Sequence, residues 1–328
     1  MQDVAELTID ELVDGVRSGR RRPIARAISL VENGAPKGYE LLKRLYPETG
    51  QAYAVGLTGS PGVGKSTLAS ALVGHTRAMG KQIGVISVDP SSPFTQGALL
   101  GDRIRLSDHF LDEGVFIRSM GARGHLGGLA QATLEAALVL DAAGKEIVFL
   151  ETVGTGQSEV EVRSVADTVV LVLMPGAGDA VQALKAGIME IPNVIAINKR
   201  NHPQAKTMLT EVRQMLALGE LERMPSIVLT EAIEGEGIEE LWAAVEEHRD
   251  WLGPERLLER RRARMAVEVF AIASERAKAH LERKVADDPE LQRLLSDVKD
   301  RKLDPLSAVR AIVERVFGIQ SNGTDSVS

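Results

Sequence analysis

Residues 59 to 66 read Gly59-Ser60-Pro61-Gly62-Val63-Gly64-Lys65-Ser66, between the apolar run Ala52 to Thr58 and a helix-forming stretch that opens at Thr67. Buried strand, glycine-rich turn and helix in that order suit an anion, because successive backbone N–H groups and a helix N-terminus then converge on one point. Gly59, Gly62 and Gly64 allow turn conformations and close approaches that a Cβ would block. In such a loop the Lys65 ammonium reaches the β- and γ-phosphates of a nucleotide, and the Ser66 hydroxyl binds its Mg²⁺. The chemistry expected is therefore nucleotide binding by residues 59 to 67.

What happens to the nucleotide depends on other groups. Asp89 closes the run VISVD, Asp102 lies in LLGDRIRL, and Glu151 closes IVFLE just before Gly154. Carboxylates at the C-terminal ends of strands beside a phosphate loop bind Mg²⁺ directly or through water. The structural alternatives are that Asp89 caps the turn at Pro90 and that Asp102 pairs with Arg103 or Arg105. Glu151 and Gly154 stand where nucleotide hydrolases of this kind place an acidic residue and a glycine that senses the γ-phosphate.

The elements that must position these groups follow from the hydrophobic pattern. Seven β-rich runs (52–58, 82–88, 115–120, 146–151, 168–174, 193–198 and 225–230) alternate with helix-length segments. Near-continuous Val, Ile and Leu runs suit strands covered on both faces, which predicts an α/β fold with a doubly wound, mostly parallel sheet and a ligand edge at the strands' C-terminal ends. Before it, residues 1–50 have the spacing of a helical extension, with Thr8 and Glu11 three apart as a capping box. After residues 51–252, the pattern changes at Gly253-Pro254 to charge-laced helices over 253–318, and the tail 319–328 is expected to be disordered. Arg260 to Arg262 alternate with Glu and apolar residues and read as a solvated or subunit-facing helix surface. Surplus apolar residues between Met265 and Ala273 point to a homodimer contact.

At 328 residues, 44% hydrophobic and with a net charge of −7, the composition is that of a globular protein with no affinity for nucleic acid. No stretch approaches the roughly 20 apolar residues of a membrane span. The acidic N-terminus lacks a signal or transit pattern, so a cytoplasmic location is expected. With no cysteine and six unclustered histidines, the only metal expected is nucleotide-bound Mg²⁺.

The strings GSPGVGKST, VDPSSPFTQGALLGDRIR, FIRSMGARGHLGGLAQAT, ETVGTGQSEVEV, PGAGDAVQALKAGIMEI and GEGIEELW resemble the MeaB/ArgK family of P-loop GTPases, over about residues 50 to 250. The resemblance implies a homodimer that binds GTP and GDP and hydrolyses GTP. It further implies a G-protein chaperone that gates cofactor loading of an adenosylcobalamin-dependent acyl-CoA mutase, with a cobalamin adenosyltransferase as a further partner. By position, Asp89, Asp102 and Glu151 match the family's Mg²⁺-site acids, and 175 to 188 matches a loop that signals nucleotide state. There Lys185 is either a cation that approaches the phosphates when a partner orders the loop or a solvated helix residue; family members commonly carry a second lysine where this chain has Ala186. Arg123 and His125 are candidate switch contacts. The alternatives are a P-loop ATPase or kinase of the arginine/ornithine transport type, and a metallochaperone GTPase, which the absent cysteines disfavour.

One departure concerns the base. Asn198-Lys199-Arg200-Asn201 stands where GTPases carry Asn-Lys-x-Asp, whose carboxylate accepts from guanine N1–H and the 2-amino group. An Asn201 amide has one acceptor and one donor, so its NH₂ opposes one of guanine's donors, and xanthine is the better match for the isolated side chain. Glu231-Ala232 likewise replaces the usual Ser-Ala pair whose backbone contacts guanine O6.

Overall fold

The computed structural model describes residues 7–89, 106–121, 128–152, 164–176, 192–219 and 221–318. Two compact units divide the chain, Met1–Arg264 and Met265–Ser328. The first contains, in chain order, helices α1 (Ile9–Arg17), α2 (Arg21–Glu32) and α3 (Pro36–Leu45), strand β1 (Tyr53–Thr58), α4 (Lys65–Ala78), β2 (Ile83–Asp89), β3 (Val115–Gly121), α5 (Gly128–Ala142), β4 (Ile147–Thr152), β5 (Thr168–Leu173), β6 (Val194–Asn198), α6 (Ala205–Leu216) and β7 (Ser226–Thr230). Helix α7 (Ile238–Asp287) follows, then α8 (Pro289–Lys299) and α9 (Pro305–Phe317). Each apolar run forms a strand, and all seven pair in parallel in the order β3-β2-β4-β1-β5-β6-β7. Strand order reverses on either side of β1, which opens a crevice at its C-terminal end, where the glycine-rich loop begins.

Helices cover both faces of the sheet. On one face Leu68, Leu72 and Val73 of α4 and Leu241, Trp242 and Val245 of α7 pack on Val55, Leu57, Phe149 and Val172. On the other, Val139 and Leu140 of α5 share a core with Ile86, Val88, Val148 and Leu150 and with Leu12, Val16, Ile28, Val31, Leu41 and Leu45 of the first three helices. Burying each of those aliphatic side chains contributes about 1.5–3 kcal/mol, so the N-terminal helices form one layer of the sheet's core. Their start is set by Thr8, whose hydroxyl accepts from the Glu11 N–H at 3.2 Å while the Glu11 carboxylate accepts from the Thr8 N–H at 2.7 Å.

The opposite edge of the sheet is held by charge. Asp167, 2% exposed at its side chain, pairs with Arg261 and Arg264 and accepts from the Ala54 N–H at 3.0 Å. Burial alone would push this carboxyl up, but the two guanidiniums hold it below its ordinary value. Arg261 also donates to the Gly50 and Ala52 carbonyls, both at 2.7 Å. The expected solvated face over Arg260–Arg262 is therefore corrected at Arg261, which is spent on an internal ion pair, while Arg260 stays exposed with its guanidinium 5.5 Å from the Trp251 ring centroid. Nearby, the Tyr53 hydroxyl bonds the Thr168 hydroxyl at 2.6 Å, which in turn bonds His248 Nδ1 at 2.7 Å. Burial, aided by Arg223 and Arg260, pushes His248 down to about 4.

Helix α7 breaks at Gly253 (φ 58, ψ 173), directly before Pro254, as the Gly-Pro pair predicts. In the second unit Asp288 caps α8 and pairs with Arg315 of α9 at 2.7 Å. The tail from 319 lies outside the described residues.

Candidate nucleotide-binding site

The loop is shaped by two positions at which only glycine fits. Gly59 has φ +137°, and a Cβ there would sit 2.2 Å from the Val172 carbonyl oxygen. Gly64, the residue before α4, has φ +96°, and its Cβ would sit 2.4 Å from Asn198 Nδ2. Between them Val63 is buried, while Pro61 and Gly62 are exposed at the mouth beside Ser60. Lys65 is only 6% exposed, and its ammonium donates to the Gly59 and Ser60 carbonyls at 2.6 and 3.0 Å. Those bonds lay the side chain back along the loop, so its charge sits at the concave side where an anion would lie. Thr67 stands half-buried in the first turn of α4.

Next to Lys65, the Ser66 hydroxyl donates to a Glu151 carboxylate oxygen, and both side chains are buried. Register explains the meeting: Glu151 of β4 lies between Leu57 of β1 and Ser87 of β2 and shares their face, the one α4 covers. A hydroxyl and a carboxylate are hard oxygen donors, the set Mg²⁺ takes from protein while it keeps nucleotide oxygens and waters for its other positions. Among the described residues no group of three or more His, Cys, Asp or Glu could hold a metal. Asp89 is placed by its backbone, the last residue of β2, paired with Gly121. Asp102, Arg123, His125, Gly154 and Lys185 lie outside the described residues.

A second loop faces the first. Asn198, 4% exposed at the end of β6, donates from Nδ2 to the Val63 carbonyl at 2.9 Å. Its Oδ1 accepts from the Ala232 N–H at 3.1 Å and the Thr230 hydroxyl at 3.3 Å. One side chain thus ties the phosphate loop, β6 and the loop after β7 together. Lys199 follows at φ +60°, an unusual conformation for a residue with a Cβ and a mark of a constrained turn. The Arg200 N–H donates to the Thr230 carbonyl at 2.9 Å, and Arg200 pairs with Glu236 at 3.4 Å. Asn201 donates to Glu234 Oε2 at 3.4 Å. Glu231 exchanges both backbone hydrogen bonds with Glu236, at 2.9 and 3.2 Å, which closes the loop.

A family model described as "Methylmalonyl Co-A mutase-associated GTPase MeaB" matches residues 24–286. The chain belongs to the MeaB family. A relative from Pyrococcus abyssi is 46% identical over 94% of this chain and 97% of its own length. The GTPase ArgK of Escherichia coli is 34% identical over 95% of this chain and 97% of its own. A crystal structure titled LAO/AO transport system kinase superposes with a TM-score of 0.71 at 29% identity, covering 96% of this chain and 99% of that one. Like its named relatives, this MeaB-family chain is a P-loop GTPase. No helix among the described residues is long and apolar enough to cross a membrane.

The MeaB-family site brings together Lys65, Ser66 and Glu151 at one end and Asn198, Lys199, Asn201, Glu231 and Ala232 at the other. Sequence reasoning missed the Asn198–Val63 bond and Glu234. The pairing of an acid with two turn glycines, Gly235 (φ +73°) and Gly237 (φ +75°), was the available signal for a structured acidic loop.

Proposed function

We propose that this GTPase serves an adenosylcobalamin-dependent acyl-CoA mutase, of the methylmalonyl-CoA or isobutyryl-CoA type, its nucleotide cycle gating the loading of intact cofactor and the removal of damaged cofactor. The family model's description, mutase-associated, carries the reading. A Caenorhabditis elegans relative named methylmalonic aciduria type A homolog, 30% identical over 95% of this chain, supports it. In this role Lys65 and the loop N–H groups of residues 59 to 67, Pro61 excepted, hold the phosphates, and Gly154 senses the γ-phosphate. Ser66, Glu151, Asp89 and Asp102 hold Mg²⁺, which neutralises charge on the β- and γ-oxygens. Asn198, Lys199, Asn201, Glu231 and Ala232 frame the base. Lys185 adds positive charge when the client orders residues 175–188, and a cobalamin adenosyltransferase is a further partner. Val267, Val269 and Phe270, exposed by 70%, 57% and 74%, favour a homodimer joined through the C-terminal helices, so light scattering should give twice the 35.3 kDa chain mass.

The test is the GTPase rate with and without each candidate mutase. A rate rise that Lys185→Ala removes is expected; no change with any such mutase overturns the reading. Measured alongside, transfer of the γ-phosphate to arginine or ornithine in place of its release would favour the kinase reading that the name of the structural relative suggests.

A further inference from the structure

The base pocket has lost the carboxylate that GTPases use for guanine, yet it still holds a carboxylate. Glu234 lies 3.4 Å from Asn201 Nδ2. Only the amide nitrogen of Asn201 has hydrogens to offer a carboxylate, so a carboxylate at this distance favours the amide orientation seen. Its NH₂ is turned to Glu234 and its Oδ1 is left as an acceptor.

The loop that carries Glu234 is built to hold it there. Glu234 N–H and Glu236 N–H both donate to the Glu231 carbonyl, at 3.1 and 3.2 Å, and Glu231 N–H donates to the Glu236 carbonyl at 2.9 Å. Gly237 supports the turn from below, at φ +75° with space for no Cβ, which would meet the Leu229 carbonyl oxygen at 2.2 Å. On the facing side Asn201 follows the Lys199 turn, and Arg200 is anchored to both Thr230 and Glu236. The two loops are therefore clasped at three successive contacts.

We infer that Glu234 and Asn201 act as one composite acceptor for guanine. Asn201 Oδ1 accepts from one of the base's two donors, N1–H or the 2-amino group, and a Glu234 oxygen accepts from the other. The negative charge that an Asp would bring at position 201 comes instead from position 234, and the amide donor that would oppose guanine is neutralised by the same carboxylate. This rests on the GTP-binding reading of the site. Xanthine presents O2 where guanine presents its amino group, so whichever acceptor of the pair faces that position, Asn201 Oδ1 or a Glu234 oxygen, meets another acceptor and disfavours it.

The experiment is calorimetric titration of GTP and xanthosine triphosphate, each with Mg²⁺, into wild-type protein, Glu234→Ala, Glu234→Gln and the double variant Asn201→Asp/Glu234→Ala. Wild type should prefer GTP. Both Glu234 variants should lose about tenfold or more in GTP affinity and gain relative affinity for xanthosine triphosphate, since the freed Asn201 NH₂ in Glu234→Ala, or the introduced amide NH₂ in Glu234→Gln, can donate to O2. The double variant should recover GTP binding, because one carboxylate at position 201 replaces the pair. A GTP to xanthosine triphosphate ratio unchanged by Glu234→Ala overturns the assignment, as does wild-type preference for xanthosine triphosphate or failure of the double variant to recover. Wild-type protein that binds neither nucleotide overturns the GTP-binding reading itself, and that result is distinct from binding with an unchanged ratio. Both residues are exposed, so melting temperatures should match wild type and exclude misfolding as the cause.

Discussion

Replacing Asn198 with alanine should loosen the phosphate loop without unfolding the protein. The side chain accounts for three hydrogen bonds in a buried place: to the Val63 carbonyl at 2.9 Å, from the Ala232 N–H at 3.1 Å and from the Thr230 hydroxyl at 3.3 Å. Each net bond is worth about 1 kcal/mol, and a buried N–H or C=O left unpaired costs about 1–3 kcal/mol. The Thr230 bond is the longest of the three, so the loss is dominated by Val63 and Ala232 and comes to about 3 kcal/mol. Against a typical stability of about 5–15 kcal/mol the variant stays folded, with a melting temperature lower by about 6–12 °C. Asn198→Asp separates the two ends of the tether. It keeps the acceptor for Ala232 but turns a second carboxylate oxygen on the Val63 carbonyl, so at neutral pH it should be no more stable than Asn198→Ala. Thermal unfolding of the three proteins, followed by circular dichroism, measures this. A melting temperature for Asn198→Ala within a degree of wild type, or an Asp variant as stable as wild type, would refute the tether.

Three further outcomes are expected. Lys65→Ala should fold normally and lose nucleotide affinity by about 2–4 kcal/mol, since it removes a charged phosphate contact; unchanged GTP affinity by calorimetry would sink the role of the loop. Glu151→Gln should lower turnover more than GTP affinity and raise the Mg²⁺ concentration needed for half-maximal rate, because Glu151 meets Ser66 where the cation would sit; wild-type turnover at limiting Mg²⁺ would return Glu151 to a structural role. Stability should also fall as pH drops from 6.5 to about 4, where unfolded His248 takes a proton that the folded protein refuses. The fall of His248 from its ordinary 6.5 to about 4 corresponds to about 3 kcal/mol. Asp167, whose folded value is depressed below its ordinary 3.8, loses most of its contribution below that pH, so the loss between about pH 6.5 and 5 belongs to His248. Urea midpoints across that range should show the slope in wild type and a flatter one in His248→Gln; equal slopes would remove His248 as the cause.

What could be read from the chain alone, and what could not, divides by the range of the contacts. The phosphate loop was legible because Gly59 to Ser66 are contiguous and their demands on φ are local, and the strands were legible because sheet residues buried on both faces have no polar alternation to hide. Arg261 was not, because a guanidinium on an amphipathic helix has the same spacing whether it meets water or a buried carboxylate, and Asp167 lies 94 residues away. Asn198 was legible as a motif residue but not as a tether, since its bond to Val63 spans 135 positions. The same limit explains the base pocket. Read singly, Asn201 offers guanine a donor where an acceptor is wanted, and the chemistry points to xanthine. Placed beside a carboxylate 33 residues on, the same amide has its donor occupied and its acceptor free. The preference of a side chain for a base is therefore a property of the side chain together with whatever holds its other end. In this GTPase that other end is Glu234, which no motif spacing around 198–201 reveals.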